Sequence, residues 1–143
     1  METRKALIAP CGLDCFNCEI HEDNLTEEFA LMMSDKTGVP MEVISCMGCR
    51  QQDGVHWHLP TEGCATLTCA KEKGVNLCCD CDEFPCLRLA PLADGAEKFP
   101  HNFKVYNLCR IQKIGIKNWI EEAGNIRKNY FTSPFVVGKG QAK

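Results

Sequence analysis

Apolar positions recur at helical spacing near both ends of the chain and fall irregularly between. Leu25, Phe29, Met32 and Met33 return every three or four residues, which predicts a helix over about Asn24–Lys36 with its Phe and Met side chains in the core. Asn24 and Glu27 stand at capping-box spacing, and Gly38 and Pro40 supply the stop. Val105, Leu108, Ile111 and Ile114 place a second helix over Asn102–Ile114, ended by Gly115 as a left-handed stop. A last helix, about Ile116–Asn129, buries Trp119, Ile120 and Ala123. Between these lie a short helix over Cys64–Lys73, closed by Gly74, and another that starts at Pro85 and reaches about Ala93. Cys46–Gly63 reads as loop or short hairpin, and Gly138–Lys143 as a fraying tail.

These elements predict a mainly α fold, with short helices around irregular, metal-stabilised loops and helices at the C-terminal end. A small cysteine-rich α+β fold is the alternative. With 143 residues and no Gly/Ser linker, the chain reads as one domain. Residues 1–95 form its cysteine-rich part, 96–132 its helical part and 133–143 the tail.

Composition changes the picture through sulfur. Twelve residues are cysteine, at 11, 15, 18, 46, 49, 64, 69, 78, 79, 81, 86 and 109. No apolar stretch approaches the ~18 residues of a membrane span. No secretory signal precedes Cys11, so the expected compartment is the reducing cytoplasm. There, cysteines at repeated spacings point to metal or redox chemistry ahead of disulfides.

Three Cys-x₂-Cys pairs stand out: Cys15/Cys18, Cys46/Cys49 and Cys78/Cys81. Cys64/Cys69 and Cys81/Cys86 are spaced by four residues. A tight Cys-x₂-Cys turn offers two thiolates, and two such turns complete the tetrahedron that zinc prefers, with Zn–S about 2.3 Å. A metal knuckle aims backbone N–H groups at sulfur. Asn17, Gly48 and Asp80, each before the second cysteine of its pair, are expected to tolerate positive φ there. Cys86 follows Pro85 at a predicted helix start, where free N–H groups would favour its thiolate.

The candidate ligands are thus Cys11, Cys15, Cys18, Cys46, Cys49, Cys64, Cys69, Cys78, Cys81 and Cys86, enough for two zinc ions, with an iron–sulfur cluster as the alternative. The working pairing joins Cys46/Cys49 to Cys64/Cys69, and Cys78/Cys81/Cys86 to one of the first three cysteines. Cys79 and Cys109 read as bystanders, Cys109 as a core residue beside Val105. His21, His56, His58 and His101 read as solvated. The Cys11-x₃-Cys15-x₂-Cys18 spacing resembles the cluster loop of radical S-adenosylmethionine enzymes. Asn17 stands where those loops carry an aromatic residue, and no strand–helix alternation follows, so that reading is set aside.

The order of motifs resembles a small bacterial and archaeal family, the domain of unknown function 3795. The motifs are Ala9-Pro-Cys-Gly-Leu-Asp-Cys-Phe-Asn-Cys18, Cys46-Met-Gly-Cys-Arg50, Cys64-x₄-Cys69 with Ala70–Val75, Cys78-x₂-Cys-Asp-Glu-Phe-Pro-Cys86 and Ile114-Gly-Ile-Lys-Asn-Trp119. The resemblance covers about residues 6–120. It implies a cysteine-rich, zinc-binding fold with the ten candidate ligands above at family-like positions, and no settled activity.

Charge is uneven. Residues 1–100 carry eight basic and 17 acidic side chains, residues 101–143 eight basic and two acidic, within a total of −3. Two Cys₄ zinc centres would add about −4 and make the first part a poor phosphate binder. The basic residues Lys104, Arg110, Lys113, Lys117, Arg127 and Lys128 read as a solvated face beside the acidic part. Zinc-finger spacing with paired histidines is missing, which argues against nucleic acid. No phosphate loop, His-Glu-x₂-His or Gly-x-Ser-x-Gly motif points to an enzyme. The expected function is a non-catalytic zinc module that serves interaction or regulation. A metal- or thiol-dependent enzyme is the alternative.

Overall fold

The computed structural model describes residues 1–141. It holds four α-helices: α1 (Glu2–Ala6), α2 (Glu27–Thr37), α3 (Ala65–Glu72) and α4 (Lys104–Thr132). A two-residue hairpin follows, β1 (Phe135–Val136) antiparallel to β2 (Gly140–Gln141). The fold is therefore mainly α with one small sheet. Part of the segment expected to fray is this hairpin, and residues 142–143 lie outside the described residues.

Helix α4 organises the molecule. At Gly115 the backbone leaves the helix (φ 80°, ψ 157°) and then resumes it, so the two C-terminal helices meet at the glycine as expected. Leu108 and Ile111 before the break, and Trp119, Ile120 and Ala123 after it, are buried. They pack with Leu7, Ile8, Phe16, Leu77, Cys79 and Leu89 from the irregular part of the chain. Asn107, 1% exposed, donates from Nδ2 to the Gly12 carbonyl at 2.8 Å, and its Oδ1 accepts from Trp119 Nε1 at 3.4 Å. One side chain thus links both arms of α4 to the loop after Cys11. At Gly12 (φ 89°) a Cβ would stand 2.8 Å from Leu108 Cγ and 2.9 Å from the Lys104 carbonyl. Only glycine lets this loop lie so close to the helix.

Elsewhere several expectations are corrected. Helix α2 starts later, at Glu27, with the Thr26 hydroxyl accepting from Phe29 N–H at 3.2 Å. Asn24 is drawn away from the capping role, because its Nδ2 donates to the carbonyls of Phe16 and Cys18, both at 2.9 Å. Gly38 does end the helix in the left-handed region. The α2 side chains are less buried than their periodicity suggests. Ala30 is its one buried residue, Phe29 and Met33 are half-buried, and Leu31 and Met32 are exposed. The helix expected over Pro85–Ala93 is a single 3₁₀ turn, Leu87–Leu89. Pro91 forces Ala90 into extended backbone (ψ 136°), and the helix cannot continue. Helix α3 appears close to its expected place, with Cys64 at its N-cap and Gly74 just beyond its end.

Candidate metal centre

The three Cys-x₂-Cys turns do not share one geometry. Cys15–Asn17 and Cys78–Asp80 are 3₁₀ turns, each closed by the second cysteine's N–H on the first cysteine's carbonyl. Asn17 and Asp80 stay out of positive φ, contrary to expectation, because their side chains brace the turns. Asn17 Nδ2 donates to Asp14 Oδ2 at 3.0 Å, and Asp80 Oδ2 accepts from Leu77 N–H at 3.1 Å. Only Gly48 takes positive φ (91°), and its N–H points at Cys46 Sγ at 3.3 Å.

The backbone draws the first two turns together. Residues 21 and 46 form a parallel bridge, with Cys46 N–H on the Ile20 carbonyl (2.8 Å) and Glu22 N–H on the Cys46 carbonyl (2.9 Å). Cys15 lies against Cys49, and a hydrogen bond between them, then burial, holds the Cys15 thiol well above its ordinary range. Burial raises Cys18 and Cys46, and other cysteines of this set add to the effect. Backbone N–H groups oppose it: Leu13 at Cys11, Ile20 at Cys18 and Gly48 at Cys46 each lie two residues on and favour the thiolate. Cys46/Cys49 therefore neighbour Cys15/Cys18 rather than the expected Cys64/Cys69.

The remaining candidates gather on the other side of Cys11. Cys78 N–H donates to the Pro10 carbonyl at 2.8 Å. Burial, and then Cys11, Cys86 and Cys69, push the Cys78 thiol up to about 12. Cys69, Cys78, Cys81 and Cys86 line one cavity of about 30 Å³, walled by Val75, Phe84 and Leu89. Cys64 lies by Cys11 and under Gly54. None of the twelve cysteines is joined in a disulfide. Among the described residues no three His, Cys, Asp or Glu side chains stand grouped as they would around an ion. The backbone gathers the thiols into two neighbourhoods, and their side chains do not close.

The two bystanders part company. Cys79 is buried in the core, where burial and then Asp80 raise it to about 11. Cys109 is exposed, which corrects its core reading, because α4 turns Leu108 and Ile111 inward instead. Of the histidines, His21 is corrected outright, whereas His58 is exposed as expected. His21 is 3% exposed, and its Nε2 is buried without a hydrogen-bond partner. His101 Nε2 meets the Ala90 carbonyl at 2.9 Å. His56 is half-buried and His58 exposed, and their rings face each other.

Sequence reasoning missed a buried ion pair beside the first thiol set. Arg127 donates to Asp14 at 3.1 Å and to Glu19 at 2.5 Å. Burial works against the Arg127 charge, but the two carboxylates outweigh it and raise its pKa further. Burial keeps Asp14 raised in spite of Arg127. Arg50, at the end of the Cys46–Arg50 motif, donates to the carbonyls of Ile8 (2.8 Å) and Asn76 (2.6 Å), stitching together the segments that carry three cysteine groups.

The sequence profile of the family described as Protein of unknown function (DUF3795) matches residues 7–91, more than half of the chain. The chain belongs to this family. The match takes in all ten candidate ligands and stops before α4, so the resemblance over Ile114–Trp119 lies outside it. No curated protein and no solved structure matches the chain. In this DUF3795 chain no helix among the described residues is long and apolar enough to cross a membrane.

Proposed function

We propose that this protein binds two zinc ions through closed sets of four thiolates and acts as a non-catalytic module in a reducing compartment such as the cytoplasm. The first set is Cys15, Cys18, Cys46 and Cys49. The second is Cys69, Cys78, Cys81 and Cys86, with Cys11 and Cys64 beside it. Zinc would hold each pair of turns together as a tetrahedral thiolate centre. The observation that carries the reading is the backbone bridge at His21 and Cys46, which sets two Cys-x₂-Cys turns side by side, with Gly48 N–H directed at sulfur. The donor set fits: soft thiolates select zinc or iron–sulfur clusters. Bound metal reverses the cost of ionising buried thiols, because a coordinating thiol is deprotonated outright. Closed shells leave no position for water or substrate, which supports a structural role that presents a surface to a protein partner.

Metal analysis with an absorption spectrum tests this on anaerobically purified protein. About two zinc ions per chain and no visible band are expected. Cys15→Ser should lower the zinc content to about one, whereas Cys109→Ser should leave it unchanged. Iron with a visible band, or a full zinc load in Cys15→Ser, would overturn the proposal.

A further inference from the structure

Outside the thiol sets, one pair of donors already converges. His56 and His58 flank Trp57 in the loop after Gly54, and their Nδ1 atoms stand 2.5 Å apart, closer than an ordinary N–H hydrogen bond. The other nitrogen of His56, Nε2, is 2.9 Å from the Ser45 carbonyl. A carbonyl only accepts, so His56 Nε2 carries the proton and Nδ1 of the neutral ring presents its lone pair to His58. The loop is anchored beneath the pair. Trp57 Nε1 donates to the Ile44 carbonyl at 3.2 Å, Leu59 N–H donates to the His56 carbonyl at 2.9 Å, and Ile44 is fully buried.

An imidazole that donates one N–H to a backbone carbonyl, and so turns its other nitrogen toward a second imidazole, has the outer-shell support usual for metal-bound histidine. We propose that His56 and His58 form a separate site for a borderline divalent transition ion, held through the two Nδ1 atoms. Imidazole suits nickel, zinc and copper. Metal–nitrogen bonds of about 2.0–2.1 Å at a near-tetrahedral angle set the two nitrogens about 3.3 Å apart, so the rings must open by roughly 0.8 Å. His58 is the exposed ring of the pair and the one that would move. No other His, Cys, Asp or Glu side chain among the described residues completes a group with the pair. Two protein ligands leave positions for water or an incoming donor. This site is therefore exchangeable, unlike the four-thiolate sets proposed above, and it does not depend on them.

Trp57 reports on the site directly, with ring centroids 5.6 Å from His56 and 5.3 Å from His58. The test titrates Ni²⁺ into protein already loaded with zinc, its zinc content having been measured first. Saturable quenching of Trp57 fluorescence at one nickel per chain is expected. In His58→Gln and in His56→Gln, with folding checked by circular dichroism, the affinity should fall at least tenfold. Trp57→Phe should lose the signal yet still retain one nickel per chain in equilibrium dialysis. No saturable uptake, or equal uptake in both glutamine variants, would overturn the site. So would a sulfur-to-nickel charge-transfer band that accounts for all bound nickel. A zinc content near zero would instead sink the thiolate proposal and leave the nickel measurement readable.

Discussion

At the scale of single residues, the decisive quantity is whether a charge or thiol is buried. The Asp14 side chain is 1% exposed and that of Arg127 11%, so their ion pair is sealed from water, while Glu19 is 51% exposed. Breaking a buried pair from one side costs about 3–5 kcal/mol, because the other charge is left without a partner. Arg127→Met should therefore destabilise the fold by about that much in urea unfolding. The double variant Asp14→Asn/Arg127→Met should recover most of the loss, and Glu19→Gln should cost under about 1 kcal/mol. A double variant no better than Arg127→Met would show that the pair acts through packing alone. The two cysteines outside the candidate sets make a second contrast. Cys109→Ser should lie within about 0.5 kcal/mol of the native protein, as exposed substitutions do. Cys79→Ser buries a hydroxyl and should cost about 1–3 kcal/mol. Equal thermal midpoints for the two would contradict the burial of Cys79.

At the scale of elements, two glycines shape α4 by different means. Gly115 holds φ 80° and ψ 157° with nothing within 4 Å of an added Cβ, so Gly115→Ala meets backbone strain and no clash. That costs about 1–3 kcal/mol. Gly12→Ala meets a similar positive φ and also collides with Leu108 and the Lys104 carbonyl, both under 3.0 Å. Denaturant unfolding should rank Gly12→Ala as the more damaging, and the reverse order would refute this docking of the loop on α4. Helices were legible where they obey local rules. Gly38 and Gly74 mark the ends of α2 and α3, and the α4 stripe marks its core face. The Pro85 helix failed through a local rule applied to one end only, since Pro85 allows a start and Pro91 denies the continuation.

At the scale of the molecule, the thiol neighbourhoods and the core share residues. Phe16, between Cys15 and Cys18, packs edge-on against Trp119 with ring centroids 6.0 Å apart. Leu77 and Cys79 flank Cys78 and lie in the same core. Loss of the proposed zinc should therefore reach the buried tryptophan. In a Trp57→Phe background, a strong chelator should shift Trp119 emission to the red and lower the thermal midpoint, because one structural zinc contributes on the order of 10 kcal/mol against a total stability of about 5–15 kcal/mol. Unchanged emission after complete zinc removal would mean that the core stands without the metal.

Periodicity and spacing by themselves determined the mainly α character, the break at Gly115 and the burial of Trp119, Ile120 and Ala123. These are properties of near neighbours in sequence, set by backbone sterics and the helical repeat. Tertiary structure alone decided that Cys46/Cys49 meets Cys15/Cys18, that Arg127 reaches back to Asp14, that Leu31 and Met32 face outward, and that His56 and His58 converge. The Cys-x₂-Cys spacing brings its two cysteines close together whichever turn they face. Which turn they face depends on the path of the whole chain around α4, and no local spacing records that path.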